Sequence, residues 1–457
     1  MAGSDPVTRS ARSPAARTII ASAPGRLDVM GGIADYSGSL VLQRPIAERT
    51  TVTLQRHRQP TIEIESSSGR SIATALDTLA PGGEPITYEA ARALFADDSR
   101  RWAAYVAGLF LVLMRERGIS IAGGARIAID SQVPEGKGVS SSAALETAAM
   151  AAITEAFDVP MTTAELGALC QTAENLVAGA PCGIMDQMAC VFGEPRSLMA
   201  LLCRPAELHA PVPIPAGIEF WGLDSGERHF VGPSASPDEG GSAYTVVRAA
   251  AFMGLRMIAS RRRPIERQHP DGVEYLAQLT PAEFEACALP DSMSGAEFLQ
   301  RYGATSDAVT RVDASVRYRV RQCAAHPVYE HARVSRFRDL LLGPDTEVRR
   351  REAGELMYQS HASYGACGLG SPGTDRLVAL VRAAGHPAGL YGARITGGGS
   401  GGTVVVMGRS DARPAIDRLA QRYEAQTGHR PYIFAGSSPG VASSWRRATS
   451  GSSRSRL

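Results

Sequence analysis

The chain lacks any excess of charge: Lys and Arg together number 48 against 46 Asp and Glu in 457 residues. That balance argues against a nucleic-acid partner, and the basic clusters at 261–263 and 349–351 are short enough to be solvated helix faces. Long apolar runs are missing too. Tyr105 to Met114 is too short to cross a bilayer, so the chain reads as soluble, with no membrane partner. The seven cysteines, at 170, 182, 190, 203, 287, 323 and 367, contain no Cys-x-x-Cys pair and leave an odd count. They are expected to be small buried groups in a reducing, cytoplasmic setting rather than a disulfide framework. There is no internal repeat. The first 17 residues, rich in Arg, Ser and Ala, imitate a transit peptide but lack the apolar core of a secretion signal. They and residues 443–457 are read as disordered tails. The remainder, with 44% hydrophobic and 21% charged residues overall, has the composition of a globular enzyme of two or three cores.

The most informative stretch runs from Asp130 to Ala144. Arg126 to Ile129 alternates as a strand does, Pro134 ends it, and Ala143 through Ala156 is almost unbroken helix former. Between them lie Gly136, Lys137, Gly138, Val139 and the serines Ser140, Ser141 and Ser142. Serines at a helix N-terminus, after glycines that let a ligand approach the backbone, suit phosphate, because the unpaired N–H groups and the positive end of the helix dipole favour an anion. An ordinary capped helix is the alternative reading. The stretch is not a Walker loop: Lys137 is followed by glycine, and Ser131 stands where the upstream glycine belongs.

Two further segments narrow the choice. Ala23 to Gly38 contains Gly25, Arg26, Asp28, Gly31, Gly32, Ile33 and Asp35, and Arg394 to Thr403 contains five glycines before the apolar strand Val404 to Met407. In order and separation the three segments resemble the three signature motifs of the GHMP-type small-molecule kinases, the family of galactokinase, homoserine kinase, mevalonate kinase and phosphomevalonate kinase. The resemblance implies an α+β architecture of two domains with the active site in the interdomain cleft. The first two motifs fall in an N-terminal domain (18–215) and the third in a C-terminal domain (216–442), with the boundary near the proline-rich stretch 211–215. Ile19 to Ser22 and Val41 to Leu54 read as strands, and Arg101 to Arg117 as an amphipathic helix. Residues 264–327 read only as short helices and loops.

Within that family the chain is most similar to the galactokinase branch, and there to the L-arabinokinases. The residues carrying this are Gly25 to Gln43, Arg101 to Gly108, Ala173 to Asn175, Pro181 to Met188, Phe220 to His229, Tyr244 to Arg248 and Ser363 to Ser371. Plant arabinokinases carry an extra glycosyltransferase-like N-terminal region, and this chain looks like the kinase domain alone. The resemblance implies an ATP- and Mg²⁺-dependent sugar 1-kinase acting on L-arabinose, expected as a monomer; galactose or a uronic acid is the alternative substrate. A non-catalytic sugar sensor is disfavoured because Ser140 to Ala144, Glu174, Arg26 and Asp186 are all present. Phosphoryl transfer needs an in-line nucleophile, charge neutralisation and a metal. By resemblance Asp186 is the base for the C1 hydroxyl, Arg26 its charge partner, and Ser142 with Glu174 the Mg²⁺ ligands. Gly136 through Ala143 bind nucleotide. Asp35, Gly183 and Tyr244 contact the sugar, Asp35 at O3 and O4, and Trp102 is either an adenine contact or plain core.

The pair Gly32 and Ile33 bears on the choice of sugar. Galactokinases usually carry Glu and His there, which engage the C6 hydroxyl. L-Arabinose shares galactose's configuration at C2, C3 and C4 but lacks that group, so an apolar pair suits it. A C6 hydroxyl against Ile33 would lose its partners, at a cost of about 1–3 kcal/mol. The other possibility is that the pair merely repacks the loop while another residue reads O6.

Overall fold

Alternation of inward apolar and outward polar residues builds the first sheet. In Leu40–His57 (β2) Val52 and Leu54 turn inward while Thr51 and Thr53 face out. Thr18–Met30 (β1) pairs antiparallel with it, from Thr18 opposite Gln55 to Met30 opposite Leu42. The strand expected to stop at Ser22 thus runs on through the first glycine motif. It does so by register shifts between Pro24 and Arg26 and between Asp28 and Met30, where an irregular ladder tolerates the missing proline N–H. The computed structural model describes residues 17–228, 242–260 and 272–445. Thr61–Ser66 (β3), Ser71–Ala75 (β4), Gly124–Ser131 (β5) and Ser197–Leu202 (β6) extend the sheet in the order β4, β3, β5, β2, β6, with β3 parallel to β5, and two short segments at Glu207–Leu208 and Val212–Pro213 pair with β6.

Helices cover this sheet. Ala104–Arg117 (α1) is buried at every position from Val106 to Met114. It is therefore a core helix and not the amphipathic helix expected, because Ser141–Ala156 (α2) and Thr163–Ala173 (α3) pack on it. A wide π-type turn, Glu174–Ala178, follows α3, and Met185–Phe192 forms α4. Such turns concentrate at functional sites because they re-aim a side chain.

The second sheet begins at Ile218. Ile218–Asp224 (β7), Leu390–Ile395 (β8), Thr403–Arg409 (β9) and Ile433–Phe434 (β10) are antiparallel in the order β8, β9, β7, β10. Glu347–Cys367 (α7) packs on it, Val320–Leu342 (α6) packs on α7, and Ala243–Ala259 (α5) packs on α6. Where only short helices and loops were expected, α6 starts at Val320 and carries Pro327 inside it. One face of the second sheet shares the core of the first, while its other face, with Trp221, Leu223, Val404 and Val406, belongs to a separate cluster. Phe220, Val405, Met407 and Phe434 join the same apolar cluster as Leu27, Val52 and Leu198. Trp445 also packs there, so the expected C-terminal tail, placed from 443, is ordered at its start. The rest of that tail, the tail before residue 17, His229 and the 261–263 cluster lie outside the described residues. All seven cysteines are free thiols, and Cys182 alone is not fully buried.

Candidate active site

One cavity of about 270 Å³ collects the ends of β1, the 31–38 loop, the β5–α2 loop, the π turn, α4 and the start of α5. In the β5–α2 loop Gly136, Gly138 and Ser140 take left-handed backbone, with φ of +72°, +68° and +60°. Such residues, alternated with right-handed ones, curl N–H groups into an anion-binding concavity. Ser140 precedes α2 but makes no capping bond, and its buried hydroxyl has no partner. The loop is therefore not the ordinary capped helix start: strain and an unspent polar group are left facing the place where a ligand fits. Gly136, Gly138 and all three serines line the cavity, as do Leu145 and Trp102.

Lys137, Val139 and Ala143 do not line it. Lys137 is the only lysine of the chain. Its ammonium turns away to Asp224 at the end of β7, 2.9 Å distant, while its carbonyl accepts from Thr403 at 2.8 Å. It thus ties the loop to the second sheet. Val139 and Ala143 are buried apolar groups beneath the loop.

Arg26, 2% exposed, forms the centre of the site. Its Nε and Nη2 donate to Asp186 Oδ1 at 3.0 and 2.7 Å, and its Nη1 donates to the Gly138 carbonyl at 2.7 Å. Burial works against its charge, but Asp186 and Asp28 outweigh that and keep it protonated. Asp186, in the first turn of α4, keeps its carboxylate on the cavity side. Next to it Asp35 is almost fully buried, its Oδ1 has no partner, and its carboxyl is pushed up to about 7, by burial first and then by the charge of Asp186. An orphaned buried carboxylate oxygen on a cavity wall is expensive unless a ligand donates to it. Gly183 is required below it, because any Cβ would run into the Asp35 carboxylate. Tyr244 and Ile33 close the same end.

Gly32 is the departure from expectation. It is not on the wall. A Cβ there would enter the van der Waals shells of the Tyr364 hydroxyl and the Asp28 carboxylate. Asp28 is itself locked, bonded by Arg394 Nη1 at 2.9 Å and by Gln43 at 2.8 Å, so no polar side chain fits at position 32. Of the apolar pair, Ile33 alone lines the cavity.

At the other end of the loop Glu174 and Ser142 both line the cavity. Glu174 is pushed up to about 7 by burial, against the pull of Ser142 and with the push of Asp186. Among the described residues no three His, Cys, Asp or Glu side chains form a metal cage. Two oxygens beside a phosphate site nonetheless fit Mg²⁺, which keeps waters and phosphate oxygens as its remaining ligands. Gln187 Nε2 donates to Glu174 at 2.5 Å and to Glu146 at 3.2 Å. Glu146 was not anticipated. It is fully buried with its carboxyl raised well above the usual range, by burial and by Glu174. The signal was legible: Glu146 is the one charged residue in the Ala-rich run from Ala143 to Thr154.

The comparisons agree with this geometry. The GHMP kinases N terminal domain matches residues 104–194, and the GHMP kinases C terminal domain matches residues 347–425. The chain belongs to the GHMP kinases. Its α+β fold is theirs: it is similar to the crystal structure of Lactococcus lactis galactokinase complexed with galactose, with a TM-score of 0.72 at 22% identity, covering 93% of this chain and 94% of that one. It is similar also to Methanococcus jannaschii mevalonate kinase, with a TM-score of 0.56 at 13% identity over 93% of this chain and 99% of that one. A curated relative, the L-arabinokinase of Arabidopsis thaliana, is 44% identical over 92% of this chain. The chain spans 46% of that relative's length.

In this GHMP kinase, reading the sequence also missed the side chains that support the site from behind. Arg248 donates to both Asp307 oxygens at 2.9 Å and to the Cys182 carbonyl at 3.1 Å, next to Gly183. Asp307 comes from a stretch with no periodicity, so nothing local marked it. Trp102 lines the cavity with Arg70 stacked over its ring at 5.1 Å, and its Nε1 donates to the Ser99 carbonyl.

Proposed function

We propose that the protein transfers the γ-phosphoryl group of ATP to the anomeric hydroxyl of L-arabinose, giving L-arabinose 1-phosphate and ADP. The observation that carries this reading is the Arg26–Asp186 pair, which stands between the glycine loop and the cavity end formed by Asp35, Tyr244 and Ile33. The likeness to an L-arabinokinase supports the choice of sugar.

ATP would lie with its phosphates on the loop from Gly136 to Ser142 and its base against Trp102. Asp35 and Tyr244 would take sugar hydroxyls, and the unpartnered Asp35 Oδ1 would gain the donor it lacks. Asp186 would orient the C1 hydroxyl and accept its proton while the C1 oxygen bonds to the γ-phosphorus and the bond to the ADP oxygen breaks. Arg26, held by Gly138 and Asp186, would face the charge that develops on the transferring group. Ser142 and Glu174 would hold Mg²⁺, which neutralises phosphate charge when bound. Ile33 would leave no polar partner for a C6 hydroxyl, and by the physical argument above this selects the pentose.

The test is ADP release with ATP and Mg²⁺ over a panel of L-arabinose, D-galactose and D-galacturonate. The highest kcat/KM is expected with L-arabinose; a clear preference for another sugar, or no sugar-dependent ADP, defeats the proposal.

A further inference from the structure

Ile33 is a β-branched residue held at φ +50°, a conformation that such a side chain resists. Strain of this kind persists only where the surroundings over-determine the backbone. The surroundings are two helices of the C-terminal half. Gly31 N–H donates to Glu330 on α6 at 3.2 Å, and the Gly32 carbonyl lies 3.0 Å from His326 Nε2 on the same helix. A carbonyl only accepts, so Nε2 carries the proton. Nδ1 then accepts from Ser363 Oγ at 2.7 Å, which defines a neutral tautomer. Burial agrees, pushing His326 down to about 4. Beside it, at 5.2 Å and edge-on, Tyr364 on α7 fills the space above Gly32 and donates its hydroxyl to the Gly397 carbonyl of the third glycine motif at 2.8 Å. Neither His326 nor Tyr364 reaches the cavity.

We propose that His326 and Tyr364 are positioning residues for sugar recognition: His326 clamps the Gly32 carbonyl and Tyr364 bars position 32, so that Ile33 is driven onto the sugar end of the cavity. This rests on the reading of that end as a sugar subsite. It accounts for the Ser363–Ser371 stretch, which lines no part of the cavity, and it adds a tyrosine link between the first motif and the third to the direct bonds of Asp28 with Arg394 and Thr396.

The experiment compares the full chain with His326→Leu, His326→Gln and Tyr364→Phe, measuring KM for the sugar the wild type prefers, KM for ATP, and melting temperature. Using the preferred sugar separates the two questions: the wild-type panel judges the choice of substrate, and the variants judge the clamp. His326→Leu keeps volume but loses the donor, and Tyr364→Phe loses only the hydroxyl. Each should raise the sugar KM by about 5- to 20-fold, the scale of one buried hydrogen bond, with the ATP KM within about twofold. His326→Gln restores an N–H donor and should recover most of the loss. A sugar KM unchanged within about twofold in Tyr364→Phe, or equal rises in both KM values, overturns the proposal. If His326→Leu fails to fold, Tyr364→Phe decides alone.

Discussion

Replacing Asp186 by Asn removes one charge and almost no volume, and the structure sets what should follow. The Asn oxygen can still accept from Arg26 Nε and Nη2, which now bond Asp186 Oδ1 at 3.0 and 2.7 Å. The pair is not sealed, since the Asp186 side chain is 21% exposed. Arg26 also keeps the Gly138 carbonyl and the nearby charge of Asp28. The stability cost should therefore fall below that of breaking a fully buried pair, at about 1–2 kcal/mol and a few degrees of melting temperature at most. Catalysis should suffer far more, because a neutral amide can neither take the C1 proton nor balance Arg26 as charge builds on the phosphoryl group. General-base loss predicts a kcat lower by about 10²- to 10⁴-fold, or about 2.7–5.4 kcal/mol of barrier. Coupled ADP release measures kcat, and calorimetry measures sugar binding, expected within about threefold of wild type because in the proposed mode the sugar hydroxyls would be met by Asp35 and Tyr244. Turnover within about tenfold of wild type would refute the assignment and leave the proton to the phosphate itself.

Ser142→Ala with Glu174→Gln removes both candidate metal oxygens and should raise the Mg²⁺ concentration for half-maximal rate by about tenfold or more, read from a Mg²⁺ titration of ADP release; an unmoved midpoint removes the pair from the metal site. Asp35, with its carboxyl raised to about 7, should bind sugar best when ionised, so kcat/KM for the sugar should climb as pH rises through about 7, and that limb should vanish in Asp35→Asn. The same shift has a stability sign: between the ordinary carboxylate value of 3.8 and about 7 the folded chain holds the proton more tightly than the unfolded one, so its contribution falls as pH rises across that window, which melting curves from pH 4 to 8 would detect. Ile33→His should narrow the ratio of kcat/KM for L-arabinose over D-galactose by roughly one order of magnitude, because a C6 hydroxyl gains a partner; an unmoved ratio means another residue reads that position.

The support behind the site could not be read from the sequence. Asp28 and Arg394 lie 366 residues apart, yet both are fully buried and bonded to one another. Nothing in either segment announces the partner, since an isolated buried charge makes sense only once the opposite charge is placed beside it. The clamp on Gly32 is hidden for the same reason: His326 lies in a stretch whose periodicity is weak and whose Pro327 argues against the helix that forms there. Tertiary packing overrode local preference.

What the sequence determined by itself is the chemistry that depends on local order along the chain. Glycines followed by serines at the head of an Ala-rich helix suit an anion, because unpaired N–H groups and missing side chains are properties of a few consecutive residues. That loop and two further glycine-bearing segments, in order along the chain, were enough to place it among the GHMP kinases. Only the tertiary structure decided which residues of those segments meet a ligand. Gly32 and Ile33 are neighbours of similar apolar character, yet one is walled in by Tyr364 and Asp28 while the other lines the cavity. Lys137 sits inside the glycine loop, yet its charge is spent on Asp224. Direction and occupancy of space are set by side chains arriving from the other half of the molecule, and that information appears only after the chain has closed on itself.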